Sequence, residues 1–89
     1  MPVYQVLLSK QAEKFIKNLN KKQARGIIQD ITDLKNHPFY TIKHDIAKLK
    51  GRKNYYRIRV GTLRVIYKIL EEEKEIYVEK IDSRGKIYK

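Results

Sequence analysis

Arg57, Arg59 and Arg64 stand on two short aromatic and β-branched runs, Tyr55–Val60 and Leu63–Tyr67, separated only by Gly61-Thr62. Two loop residues with Gly first fit a tight hairpin, because the first turn position takes a positive φ. The register then follows: Val60 opposite Leu63, Arg59 opposite Arg64, Ile58 opposite Val65, Arg57 opposite Ile66, Tyr56 opposite Tyr67. Alternation puts Tyr56, Ile58, Val60, Leu63, Val65 and Tyr67 on a core face, and Tyr55, Arg57, Arg59, Arg64 and Lys68 on the other. Two guanidinium groups ~6 Å apart repel by roughly 0.7 kcal/mol in water and ~3 kcal/mol at an effective dielectric of 20. An anion between them relieves that cost, and the planar guanidinium fork suits phosphate best. The alternative is a solvated basic face whose arginines splay apart.

Arginine does not readily exchange protons, with a pKa above ~12, but fixed cations stabilise charge developing on phosphorus. If the phosphate belongs to RNA, the substrate's own 2′-hydroxyl is the nucleophile and no metal-bound water is required. Other chemistries find little support. His37 and His44 read as isolated, solvated loop residues rather than ligands or switches. Glu71, Glu72, Glu73 and Glu75 read as a solvated turn. There is no Gly-rich phosphate loop and no nucleophile elbow. With no cysteine there is neither a disulfide framework nor a thiolate metal site. No metal and no cofactor are expected.

The 89 residues suffice for one domain, 1–89, with a modest core. Twenty-one Lys and Arg against ten Asp and Glu give a formal charge of +11. From Ile46 to Leu70 there are eight basic residues and no acidic one, which leaves the arginine face uncompensated. Such a field favours nucleic acid or an acidic protein partner. A membrane is disfavoured, since no basic amphipathic helix with bulky aromatics and no long apolar span stands out. The apolar run near Met1 is too short for a signal peptide, so a soluble cytoplasmic protein is expected. Abundant Lys, Glu and Ile without Cys or Trp point toward a thermophile.

Elements that would carry the hairpin can be read on either side. Val3 to Leu8 is apolar on both faces, as in a strand inside a sheet. Ser9 can cap a helix whose Ala12, Phe15, Ile16 and Leu19 form a stripe. Asn20 and Gln23 fit a capping box for a second helix, whose buried stripe is Ala24, Ile27, Ile28, Ile31 and Leu34. Asn36-His37-Pro38 ends it. Ile46–Gly51 is a short strand, and Ile76–Ile81 a last one with Ile76 and Val78 on one face; the tail from Asp82 has no clear period. The expected fold is α+β: two antiparallel helices packed on a twisted, mostly antiparallel sheet in the order β-α-α-β-β-β-β.

The motifs Leu49-Lys-Gly51, Tyr56-Arg-Ile-Arg-Val-Gly61, Leu63-Arg-Val-Ile-Tyr67 and Arg84-x-x-x-Tyr88 occur in that order. Together they resemble the RelE branch of the RelE/ParE toxin superfamily, in its archaeal or thermophilic form, over nearly the whole chain. The resemblance implies a ribosome-dependent endoribonuclease that cuts mRNA in the decoding site, beside 16S rRNA, and is held in check by a RelB-like antitoxin. It also implies site roles. Arg57 and Arg59 match the basic pair of the central strand, Arg64 the phosphate-contacting arginine, Arg84 the arginine before the C-terminal tyrosine, and Tyr88 that tyrosine. Lys50 matches a position often basic in the family, and Lys48, Arg52, Lys53, Tyr55, Lys68 and Lys86 are the further candidates for RNA contact. Because arginine is a poor proton acceptor, Tyr88 is the expected base or relay, its phenolate favoured by the surrounding cations. Two other readings stand beside this one: a ParE-like toxin acting on DNA gyrase, and a non-catalytic RNA- or ribosome-binding module.

Overall fold

A computed structural model describes residues 4–39 and 41–83. They form β1 (Gln5–Leu8), α1 (Lys10–Lys17), α2 (Lys21–Asp33), β2 (Asp45–Lys48), β3 (Tyr55–Val60), β4 (Leu63–Leu70) and β5 (Glu75–Ser83). The sheet order is β1-β5-β4-β3-β2, with β1 parallel to β5 and every other pairing antiparallel. This is the expected α+β architecture, and the β3–β4 register is the one read from the sequence, down to Arg59 opposite Arg64. Gly61 has φ +61° at the first turn position, where only glycine escapes a Cβ penalty.

Both helices are set by side-chain caps. Ser9 Oγ accepts the Ala12 N–H at 3.1 Å, and Asn20 Oδ1 accepts the Gln23 N–H at 2.8 Å. They bury Ala12, Ile27, Ile31 and Leu34 against the sheet's Ile58, Val65, Tyr67, Ile69, Ile76, Val78 and Ile81. The loop after α2 is tied to the same face, where Tyr67 donates to the Pro38 carbonyl at 2.7 Å and Phe39 meets the Tyr56 ring edge-on.

Three expectations about the elements are corrected. β1 lies at a sheet edge rather than inside it; with β5 as its one strand neighbour, Leu7 and Leu8 stay exposed. Ile28 is 51% exposed, because Ile27, Ile31 and Leu34 take the inward stripe and the next residue in a helix turns some 100° away. The last strand runs on through Asp82 and Ser83. That extension depends on a bulge. Tyr67 pairs with Val78 while Ile66 pairs with Lys80, which leaves Glu79 as the extra residue. The bulge resets the alternation so that Val78 and Ile81 both point into the core.

Beyond Leu8, β1 no longer covers the β5 edge. Side chains from the start of α1 take over. Ser9 Oγ donates to the Glu79 carbonyl at 2.7 Å, while the Gln11 amide donates to the Ile81 carbonyl at 2.9 Å and accepts its N–H at 3.0 Å. Gln11 thus pairs both backbone groups of Ile81, as a neighbouring strand would.

Candidate nucleic-acid interface

The open face of the sheet, opposite the helices, carries the arginines in register. Asp45 of β2 pairs with Arg59, Arg59 with Arg64, and Arg64 with Asp82 of β5, so one rung reads carboxylate, guanidinium, guanidinium, carboxylate. The side chains follow the rung. Arg59 Nη1 lies 3.3 Å from Asp45 Oδ2, and Arg64 donates twice to Asp82, from Nε at 3.2 Å and Nη2 at 2.9 Å. Arg57, one rung along, reaches back to Asp45 Oδ1 at 3.2 Å and to its backbone carbonyl at 3.4 Å. The expectation of an uncompensated cationic face is therefore corrected. The stretch from Ile46 to Leu70 has no acidic residue, but the strands flanking the hairpin supply Asp45 and Asp82 to these arginines across the sheet.

A second group lies beside the rungs. Arg52 places its guanidinium 3.6 Å from the Tyr55 ring centroid and donates to both Glu79 oxygens at 3.1 and 3.2 Å; Tyr55 donates to Glu79 Oε1 at 2.8 Å. The bulge is what aims Glu79 here. The hydrogen bonds from Arg52, then Tyr55, hold the Glu79 carboxyl below the usual carboxylate range. The same carboxylate pushes the Tyr55 phenol up, which suits a donor and not a base. Lys68 pairs with Tyr55 across β3 and β4, its Nζ 5.7 Å from the ring centroid. Lys50 and Lys53 lie exposed in the turn between β2 and β3. Lys48 is not gathered with the arginines, since it pairs with Tyr56 and shares that residue's helix-side face. Arg84, Lys86 and Tyr88 lie outside the described residues.

Sequence reasoning missed three acidic participants, Asp45, Asp82 and Glu79. A phase change was visible in the last strand, since Ile76, Val78 and Ile81 cannot share a face without a bulge. It also misread His44, which is not a solvated loop residue. Its side chain is 12% exposed, with Nε2 3.0 Å from Asp33 Oδ2 and Nδ1 3.7 Å from Asp30 Oδ2 on α2. Burial raises the Asp30 pKa, with His44 opposing. Among the described residues these three could also gather round a metal ion, their ligand atoms lying within 4.8 Å of one another. The imidazole bridging both carboxylates already accounts for the arrangement. Tyr67, buried beneath the sheet, has its phenol pushed up by desolvation and bonds the Pro38 carbonyl. No helix among the described residues is long and apolar enough to cross a membrane.

Fold and face together define a class: small basic α+β proteins with two helices on one side of the sheet and a row of arginines on the other. Residues 6–88 match the family described as the ParE toxin of type II toxin-antitoxin system, parDE. RelE1 of Methanocaldococcus jannaschii is 34% identical over 86 residues, covering 97% of this chain and 96% of its own. Among solved structures, a chain of the archaeal RelE-RelB complex from Pyrococcus horikoshii OT3 superposes with a TM-score of 0.83 at 33% identity, over 93% of this chain and 97% of that one. A chain of the RelB-RelE complex from Methanococcus jannaschii gives 0.74 at 30%, over 92% and 94%. The chain belongs to the RelE/ParE superfamily of type II toxins, in its RelE branch.

Proposed function

We propose that this toxin is an endoribonuclease that cuts mRNA in the ribosomal decoding site. The observation that carries this reading is the placement of Arg57, Arg59 and Arg64 on adjoining rungs of one open sheet face. Side-chain cations there would grip the scissile phosphate. The 2′-oxygen attacks phosphorus, the bond to the 5′-oxygen breaks, and the products are a 2′,3′-cyclic phosphate and a 5′-hydroxyl. One proton leaves the 2′-hydroxyl and one arrives at the departing 5′-oxygen. Arginine supplies charge for the pentacoordinate state but not the proton transfer. Tyr88 is assigned that task, and Arg84 the support of its phenolate and of the phosphate. Lys50, Arg52, Lys53, Tyr55 and Lys68 would line the path of the message, alongside 16S rRNA.

The partner that restrains it would be a RelB-like antitoxin, as in the RelE-RelB complexes that this fold resembles. Exposed apolar residues at the β1 edge and on α2 (Leu7, Leu8 and Ile28) support a surface that gains from a covering chain.

Primer extension on mRNA in a translation mixture tests the activity, comparing wild type with Arg64→Ala combined with Tyr88→Phe. Discrete cuts that need ribosomes and vanish in the double variant are the expected result. The family description also names ParE, which keeps gyrase in view. Absence of cuts while replication still stops would favour that reading, and ribosome association without cuts would favour a binding module.

A further inference from the structure

Asp45 and Asp82 differ in how firmly they hold their arginines. Asp82 is 21% exposed and takes two parallel bonds from the single guanidinium of Arg64. That geometry is the strong one for a carboxylate and a guanidinium. Asp45 is 54% exposed, stands on the edge strand, and divides its oxygens between Arg57 and Arg59, meeting each through Nη1 at 3.2 and 3.3 Å. A solvated carboxylate holding two cations by single, longer contacts is the weaker competitor for them. Lys80 stands on the Arg57 rung and brings its Nζ to 3.9 Å from Asp82 Oδ2, so four cations face these two carboxylates and the rungs keep a net positive charge for a phosphodiester.

We infer that Asp45 is an exchangeable internal anion: it occupies the Nη1 atoms of Arg57 and Arg59 until an RNA phosphate displaces it, and so limits tight engagement at these two arginines to a well-placed phosphate. It is a positioning residue and not a catalytic one. The inference rests on the reading that Arg57 and Arg59 bind phosphate. Asp45 holds the two guanidinium groups together against their mutual repulsion, and it taxes every non-specific encounter with a polyanion.

The full chain can be titrated with a fluorescent single-stranded oligoribonucleotide bearing 2′-O-methyl groups, which cannot be cut, with anisotropy as readout over a series of salt concentrations. Asp45→Asn is expected to bind about fivefold more tightly at low salt, the factor for a phosphate no longer displacing an exposed ion pair. Its salt dependence should steepen by roughly 0.7 in the log-log slope for each additional phosphate that the protein neutralises. Glu13→Gln on α1 makes the same change in net charge on the far side of the protein and should fall well short of that increase in affinity. Asp45→Glu should return the affinity toward wild type. Equal tightening by Asp45→Asn and Glu13→Gln would reduce the effect to net charge and overturn the inference. If Arg57→Ala with Arg59→Ala weakens binding but Asp45→Asn matches wild type, the phosphate site stands and the role of Asp45 falls. If the arginine double variant binds as wild type does, the reading of the site falls, and this inference with it.

Discussion

Arg59 and Arg64 are directly opposed across β3 and β4, yet their guanidinium groups are drawn apart, Arg59 to Asp45 and Arg64 to Asp82. Like charges in that cross-strand position destabilise a hairpin. Here each has a carboxylate on its outer side, so the rung is stable without a ligand and still presents donors to one. The sheet order makes this possible, because β2 and β5 are the outer neighbours of the hairpin strands.

The two carboxylates should differ in what they contribute to folding. Asp82→Asn breaks a bidentate, partly buried pair and is expected to cost about 1–2 kcal/mol. Asp45→Asn loses exposed contacts and should cost less than about 1 kcal/mol. Urea unfolding of both variants at neutral pH checks this. Equal losses would mean that net charge, and not the geometry of the pair, sets the cost.

Glu79 predicts a dependence on pH. Its folded pKa is depressed below 4.5 by Arg52 and then Tyr55. Its contribution is therefore fully present above the unfolded value and is lost as pH falls through the folded one. Glu79→Gln should destabilise the protein at pH 7, and the gap to wild type should close as the pH drops below the ordinary carboxylate range. The effect should be small and weaken with salt, because Arg52 is well exposed. Paired thermal melts across that range decide it. A gap of constant size would assign the loss to the packing of Tyr55 instead.

Gln11 is expected to guard the sheet edge. Gln11→Ala leaves the Ile81 N–H and carbonyl without the two bonds that now satisfy them, at a cost of about 1–3 kcal/mol. Freed backbone groups on an edge also invite pairing with another chain. The variant should therefore lose protection of the Ile81 amide in hydrogen exchange and associate more readily as concentration rises. Unchanged Ile81 protection would show that water replaces the amide without penalty.

The hairpin, both helix caps and the core stripe were legible because each is local: turn chemistry, a capping residue, a period of two or 3.6. The carboxylates of the site were not, since Asp45 and Asp82 meet the arginines only through strand pairing across 14 and 18 residues. Asp82 looked like tail because the bulge at Glu79 breaks the alternation that would have extended β5. His44 looked solvated because its partners, one turn apart on α2, are joined to it by the loop alone. Sequence distance, not residue type, hid these contacts.

That histidine contact yields a test with opposite signs. Burial raises the Asp30 pKa despite the nearby His44, so folding disfavours its ionised form. The cost is fully present above the folded pKa and absent below the unfolded value of 3.8. Asp30→Asn removes it, and stability at pH 7 should rise by a few tenths of a kcal/mol, within the range of ordinary surface substitutions. Asp33→Asn weakens the 3.0 Å bond that fastens His44, and the loop with it, to α2. It should cost about 1 kcal/mol. Urea unfolding of the two variants side by side reads the difference. A larger loss for Asp30→Asn than for Asp33→Asn would make Asp30 the anchor of the loop, and desolvation would then not govern this pair.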